Sequence, residues 1–189
     1  MILPIYVYGS DVLRAKSEDI NLESVNKEEL AQFIENMIET MHNAEGVGLA
    51  APQVGKNCNL VIVDGRDLAD TYPYLKDFFK VMINPKVLEE SEETSMYNEG
   101  CLSIPGINCD VIRPKKIKVE YFDRDLNKQV EEFDDFASRM VQHELDHLQG
   151  TMFVDRAAPI RKKMISSKLY NISKGKVGAA YKIKLEKSK

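Results

Sequence analysis

Between Asn26 and Asn43, the residues Leu30, Phe33, Ile34, Met37, Ile38 and Met41 recur at helical spacing. They form one apolar stripe, so the segment is expected to be a helix with one buried face. Asn26 can cap it, with Glu29 three residues on. His42 falls in its last turn, where a cation suits the helix dipole, and is read as structural. Next, Asn59–Asp64 (NLVIVD) is a continuous apolar run expected as a buried strand, and Val81–Glu90 a second strand interrupted at Asn84-Pro85. The polar and aromatic stretch 65–80 between them carries no period and is expected to be a surface loop.

Further along, Asn98–Gly106 (NEGCLSIPG) fits an irregular strand end bounded by Pro105 and Gly106. Alternation then resumes from Ile107 into IKVEYFD, and KQVEEFD returns after a turn at Arg124–Asn127. This predicts a hairpin with Ile117, Val119 and Tyr121 on one face. Asp134 or Asp135 would cap a following helix carrying Phe136, Met140, Val141, Leu145 and Leu148, which Gly150 closes. A last amphipathic helix is expected over Pro159–Tyr170.

Inside the helix before Gly150 stands His143-Glu144-Leu145-Asp146-His147. Two imidazoles four residues apart share a helix face and can bind one metal ion, while Glu144 reaches a water on it. These are two of only three histidines in the chain. A hydrolytic zinc- or iron-type site needs a third protein ligand and an open position. Phe153 stands where a longer HExxHxxGxxH motif would put a third His, and beyond Asp155 the only acid is Glu186. The remaining soft donors are Cys58, Cys101 and Cys109. A lone cysteine is more often a small core residue, but the missing third ligand favours Cys101, which follows a glycine in the irregular segment. Gly46-Val47-Gly48-Leu49-Ala50-Ala51-Pro52-Gln53-Val54-Gly55 offers two readings: a tight helix-stop loop, or glycines that let backbone approach a ligand beside the Gln53 amide.

Composition narrows the class. The 189 residues are 43 % hydrophobic and 30 % charged, enough for one ordinary domain with a full core. The N-terminal MILPIYVYGSD has no basic leader and breaks at Pro4 and Gly9, and no run approaches membrane-spanning length, so a cytoplasmic protein is expected. Three cysteines in a reducing compartment stay as thiols. The formal charge of −4 is uneven: residues 1–155 hold 15 basic and 29 acidic side chains, residues 156–189 hold 11 basic and one acidic. The expected organisation is a single catalytic domain over 1–173 and a basic, flexible tail over 174–189. Such a tail is either a solvated end or an arm that touches nucleic acid.

Taken together, GVGLAAPQVG, EGCLSIPG and QHELDHLQG, in this order and spacing, closely resemble the three signature motifs of the peptide deformylases. The resemblance extends from about residue 4 to 172. It implies an α+β fold, with antiparallel sheets packed around a central helix carrying the HExxH motif and a C-terminal helix. It implies Cys101, His143 and His147 as metal ligands and Glu144 as acid/base, with Gln53 and the Leu102 N–H holding the oxygen of the scissile group. Gly46, Val47 and Gly48 would be the substrate-lining strand edge, and Phe136 and Met140, with Val47, a pocket for a methionine side chain that Arg139 rims. The implied activity is removal of the formyl group from N-formylmethionyl nascent polypeptides. The implied cofactor is one divalent ion, ferrous iron in the cell, with zinc or nickel able to substitute. A monomer with weak ribosome association through the basic tail completes the expectation. Family members often carry a basic residue three positions after the proline of EGCLSIP, and here that residue is Asn108.

Overall fold

The computed structural model describes residues 1–187. Its elements are β1 (Ile5–Tyr6), α1 (Lys27–Asn43), β2 (Gly48–Ala50), β3 (Leu60–Asp64), β4 (Phe79–Glu90), β5 (Thr94–Cys101), β6 (Ile104–Pro114), β7 (Lys116–Phe122), β8 (Lys128–Asp134), α2 (Asp135–Leu148), α3 (Pro159–Ile172) and β9 (Ile183–Lys184).

The periodic stripe of α1 has the expected consequence. Asn26 caps it by accepting from the Glu28 and Glu29 amides, and Leu30, Ile34, Met37 and Met41 are buried. Each such side chain contributes about 1.5–3 kcal/mol by leaving water. They pack on one face of a five-stranded antiparallel sheet ordered β2-β3-β4-β7-β8. Strand β3 is buried throughout because helices cover both of its faces. Leu60 and Ile62 point to α1, while Val61 and Val63 point to α2. This explains a continuous apolar run where a half-exposed strand would alternate.

At Asn84-Pro85 the β4–β7 register shifts between Ile83 and Lys86. Asn84 has φ +50, and its amide both accepts from the Ile20 N–H and donates to the Ile20 carbonyl, each at 2.8 Å. The interruption read from the sequence is therefore a bulge tied to the N-terminal segment.

The motif helix α2 starts at the cap Asp134, which accepts from the Asp135 amide. Asp135 itself takes the hydroxyls of Tyr97 and Tyr74. Gly150 follows the helix end at φ +71, where an added Cβ would lie 2.5 Å from the Arg14 carbonyl oxygen. Helix α2 buries Ala137, Met140, Val141 and Leu148 against the second face of the sheet.

Three expectations change, and one, the irregular strand end, is borne out and gains its context. The stretch 65–80 is not merely a surface loop: it forms two short 3-10 turns, buries Leu75 completely and stacks Tyr72 on Phe136 at 4.7 Å. The irregular segment at Asn98–Gly106 belongs to a long separate hairpin, β5 with β6. Helix α3 runs two residues past Tyr170, to Ile172, and is scarcely amphipathic. It buries only Ile165 and Ile172 and leaves Ile160 and Met164 exposed. Finally, residues 174–187 are not a loose arm, because β9 pairs in parallel with β1 and Tyr181 donates to the Leu102 carbonyl at 2.7 Å. Positions 188–189 of the expected tail lie outside the described residues.

Candidate metal centre

Two local features bring the ligand candidates together. The four-residue spacing on α2 turns His143 and His147 to one side, with ring centroids 5.4 Å apart. The β5–β6 turn then delivers Cys101 opposite them, where the hairpin register is broken between Glu99 and Cys101. One donor atom from each of Cys101, His143 and His147 lies within 4.8 Å of the others, and Cys101 Sγ is 3.3 Å from His147 Nε2. One thiol and two imidazoles so placed suit a single ion bound at roughly 2.0–2.3 Å from each. Glu144, which follows the first His, is buried, and its Oε2 has no protein partner. An orphaned buried carboxylate oxygen beside a thiol and two imidazoles fits a site built around a cation.

The other histidine and cysteines lie elsewhere. His42 pairs with Asp64 at 2.9 Å. Cys109 is buried in the third core cluster, and burial pushes the Cys58 thiol up to about 11, which disfavours a thiolate.

Behind these candidate ligands runs a buried ionic network that the motifs do not announce. Glu99 accepts from Arg113 Nε at 2.8 Å and Nη2 at 2.9 Å, from Arg139 Nη1 at 2.6 Å, and is 2.8 Å from His143 Nδ1. That last contact turns the other ring nitrogen of His143 toward Cys101 and fixes the ring. Asp146, inside the helix motif, takes Arg113 at 2.7 Å and Arg156 at 2.6 Å. Arg139, expected at the rim of a pocket, does line the cleft in front of the site; it is 3 % exposed and also donates to the Val111 and Ser95 carbonyls.

These contacts set the charges. Burial disfavours the Glu99 anion, but hydrogen bonds from Arg113 and His143 hold its carboxyl well below the usual range. Burial also opposes charge on His143, yet Cys101 and Glu99 raise its pKa well above the ordinary value. His147 is lowered by burial and by its neighbour His143. Burial pushes Glu144 up to about 7, into the range of a working general base.

The front of the site is a cleft of about 560 Å³. Gly46, Val47 and Gly48 line it, as do Phe136 and Met140 together with His143 and Glu144. Gly48 leaves Glu144 its place, since a Cβ there would lie 2.3 Å from Glu144 Oε1 and force that side chain to move. Gln53 is fixed by its own acceptor, which takes the Ala50 amide at 2.8 Å. Its Nε2 thereby faces Cys101 Sγ at 3.5 Å and Ser103 Oγ at 3.1 Å. Leu102, next to Cys101, also lines the cleft, and its N–H has no hydrogen-bond partner among the described residues. Sequence reasoning named these groups but missed Glu99, Arg113 and the segment Gly178–Tyr181, which lines the cleft too. Glu99 had a signal, as an acid two positions before the candidate ligand Cys101; Arg113 had none.

Comparison with known proteins places this geometry in a family. The model of the polypeptide deformylase family matches residues 2–163. A peptide deformylase of Christiangramia forsetii is 43 % identical over 196 residues, covering 100 % of this chain and 98 % of that protein. One from Flavobacterium psychrophilum is 45 % identical, covering 98 % and 97 %. Among solved structures, the peptide deformylase of Thermotoga maritima superposes with a TM-score of 0.74 at 38 % identity, over 84 % of this chain and 99 % of that one. A Plasmodium falciparum peptide deformylase gives 0.79 at 30 % identity, over 90 % and 95 %. Full-length identity above two-fifths, with the same fold and the cluster of Cys101, His143 and His147, shows that the chain belongs to the polypeptide deformylase family.

Proposed function

We propose that this protein hydrolyses the formyl group from the N-terminus of N-formylmethionyl nascent polypeptides, releasing formate. The observation that carries the reading is the cluster of Cys101, His143 and His147 beside a buried Glu144 carboxylate with an unpartnered oxygen. Cys101, His143 and His147 would hold one divalent ion, which supplies Lewis acidity toward water and a carbonyl. Ferrous iron is the proposed ion in the cell, and the same ligands admit zinc or nickel.

The protein's own groups account for the remaining steps. Glu144 takes a proton from the attacking water, whose oxygen bonds to the formyl carbon. The Gln53 Nε2 and the Leu102 N–H donate to the oxygen that gains negative charge. Glu144 then delivers its proton to the leaving nitrogen as the C–N bond breaks, so water and formamide become formate and a free amine. The methionine side chain enters the apolar end formed by Val47, Phe136 and Met140, where Tyr72 braces Phe136 by stacking. Strand β2 is an edge of its sheet, so Gly46–Gly48 can pair with an extended peptide main chain.

The same reading makes the protein a cytoplasmic monomer that meets nascent chains early. Three free cysteines suit a reducing compartment, and among the described residues no helix is long and apolar enough to cross a membrane. Weak attraction of the basic C-terminal stretch to ribosomal RNA is part of the proposal, and it predicts ribosome co-sedimentation that falls as salt is added. The function is tested by presenting formylated and unformylated forms of one methionyl peptide. Formate release from the first and no cleavage of the second is expected. Internal cleavage of the unformylated peptide would instead mark a general peptidase.

A further inference from the structure

Beyond α3 the chain turns at Gly175, φ +72, and crosses back over the site. It is tied down on the far side by several contacts. The Ile5 and Val7 amides donate to the Lys182 and Lys184 carbonyls, each at 2.9 Å, and the Asp11 amide to Glu186 at 3.1 Å. The Tyr181 hydroxyl holds the Leu102 carbonyl at 2.7 Å, and its ring packs on the first core cluster. Gly178, Ala179 and Ala180 therefore sit along the same cleft as Cys101 and Glu144.

Two properties of this short stretch set it apart from its surroundings. It places small uncharged residues inside a run otherwise studded with Lys174, Lys176, Lys182 and Lys184. In addition, the backbone N–H and C=O groups of residues 178–180 have no hydrogen-bond partner among the described residues. Small side chains and unpaired backbone along a cleft make a surface suited to an extended main chain, which needs partners for its own amides. Asn108, which lines the same cleft, carries no charge of its own, and its carbonyl accepts from Arg161 Nη2 at 2.6 Å.

We propose that Gly178–Tyr181 is the wall of the cleft against which substrate residues beyond the formylated one lie, and that Ala180 is a selectivity position for them. This rests on the function proposed above. It makes the C-terminal segment part of peptide recognition, with Tyr181 as the anchor joining the wall to the Leu102 turn.

The test places a charge of either sign at Ala180, which is exposed and so does not bury it. Wild-type protein, Ala180→Asp and Ala180→Lys are assayed at low ionic strength with formyl-Met-Lys-Lys-amide and formyl-Met-Asp-Asp-amide. The ratio of kcat/KM for the lysine peptide over the aspartate peptide should rise about fivefold in Ala180→Asp and fall by about as much in Ala180→Lys. Ratios unchanged from wild type in both variants would overturn the assignment. Formate release by the wild-type protein from formyl-Met-Ala-Ala reads the function separately, and its absence would overturn both.

Discussion

Replacing Glu99 by alanine is expected to damage the fold and the metal site together. Its carboxylate is 6 % exposed and neutralises Arg113 and Arg139, which are 1 % and 3 % exposed. Without it, Arg113 would share Asp146 with Arg156, and Arg139 would keep only the Val111 carbonyl and Ser95 as hydrogen-bond partners. Breaking a buried pair by removing one partner costs about 3–5 kcal/mol, because a charge is left uncompensated. At about 1.4 kcal/mol per tenfold, that is roughly two to three and a half decades in the unfolding equilibrium. The same change frees His143, whose Nδ1 loses its partner at 2.8 Å, and losing such a support typically weakens metal affinity by about 10–100-fold. Urea unfolding followed by circular dichroism in chelator measures the first effect, and competitive metal titration the second. Glu99→Gln, which keeps an acceptor for His143, should fall between wild type and alanine in both. A loss below about 1 kcal/mol, or wild-type metal affinity in Glu99→Ala, would refute the reasoning.

Other changes separate the remaining parts of the site. Cys101→Ser should lower the metal-to-protein ratio after dialysis, while Cys58→Ser and Cys109→Ser should not, since a hydroxyl poorly replaces a thiolate; full metal content in all three would remove Cys101 from the ligand set. Gly48→Ala should fold normally but lower kcat by about 10²-fold, because the new methyl displaces Glu144 from its place; wild-type kcat would show that Glu144 has room to spare. Acid stability should depend on Asp64, whose carboxyl is held down to about 2: burial opposes the shift, and hydrogen bonds from Arg66 and His42 produce it. Because the folded pKa is depressed, this stability is present above the unfolded value near 3.9 and is lost as pH falls toward 2. Wild-type protein should therefore lose more stability than Asp64→Asn over that window in urea titrations, and parallel losses would contradict it.

Much of the architecture follows from local signals. The stripe of α1, the doubly buried β3, the β7–β8 hairpin and the caps of α2 all depend on neighbours close in sequence, so periodicity exposes them. The β5–β6 hairpin is harder to read because buried positions on its strands hold Glu99 and Arg113, which a polarity pattern assigns to solvent. The 65–80 segment is built of 3-10 turns and carries no period, although Leu75 and Tyr72 anchor it. The C-terminal stretch is set by pairing with β1 across almost the whole chain, which composition does not reveal. The site divides in the same way. His143, Glu144 and His147 lie within one helical turn and are legible as a motif, and Cys101 enters through a second motif. Glu99, Arg113 and Tyr181 act through contacts between distant segments and become visible only once the fold brings them together.

Formate release by metal-loaded Glu144→Gln, beside wild-type protein at the same metal-to-protein ratio, distinguishes a working base from a merely buried acid. The amide leaves Cys101, His143 and His147 untouched but cannot accept the proton. Metal content should therefore be unchanged, while kcat falls by about 10²–10⁴-fold. Near-wild-type formate release with the metal bound would contradict the proposed hydrolysis at this centre.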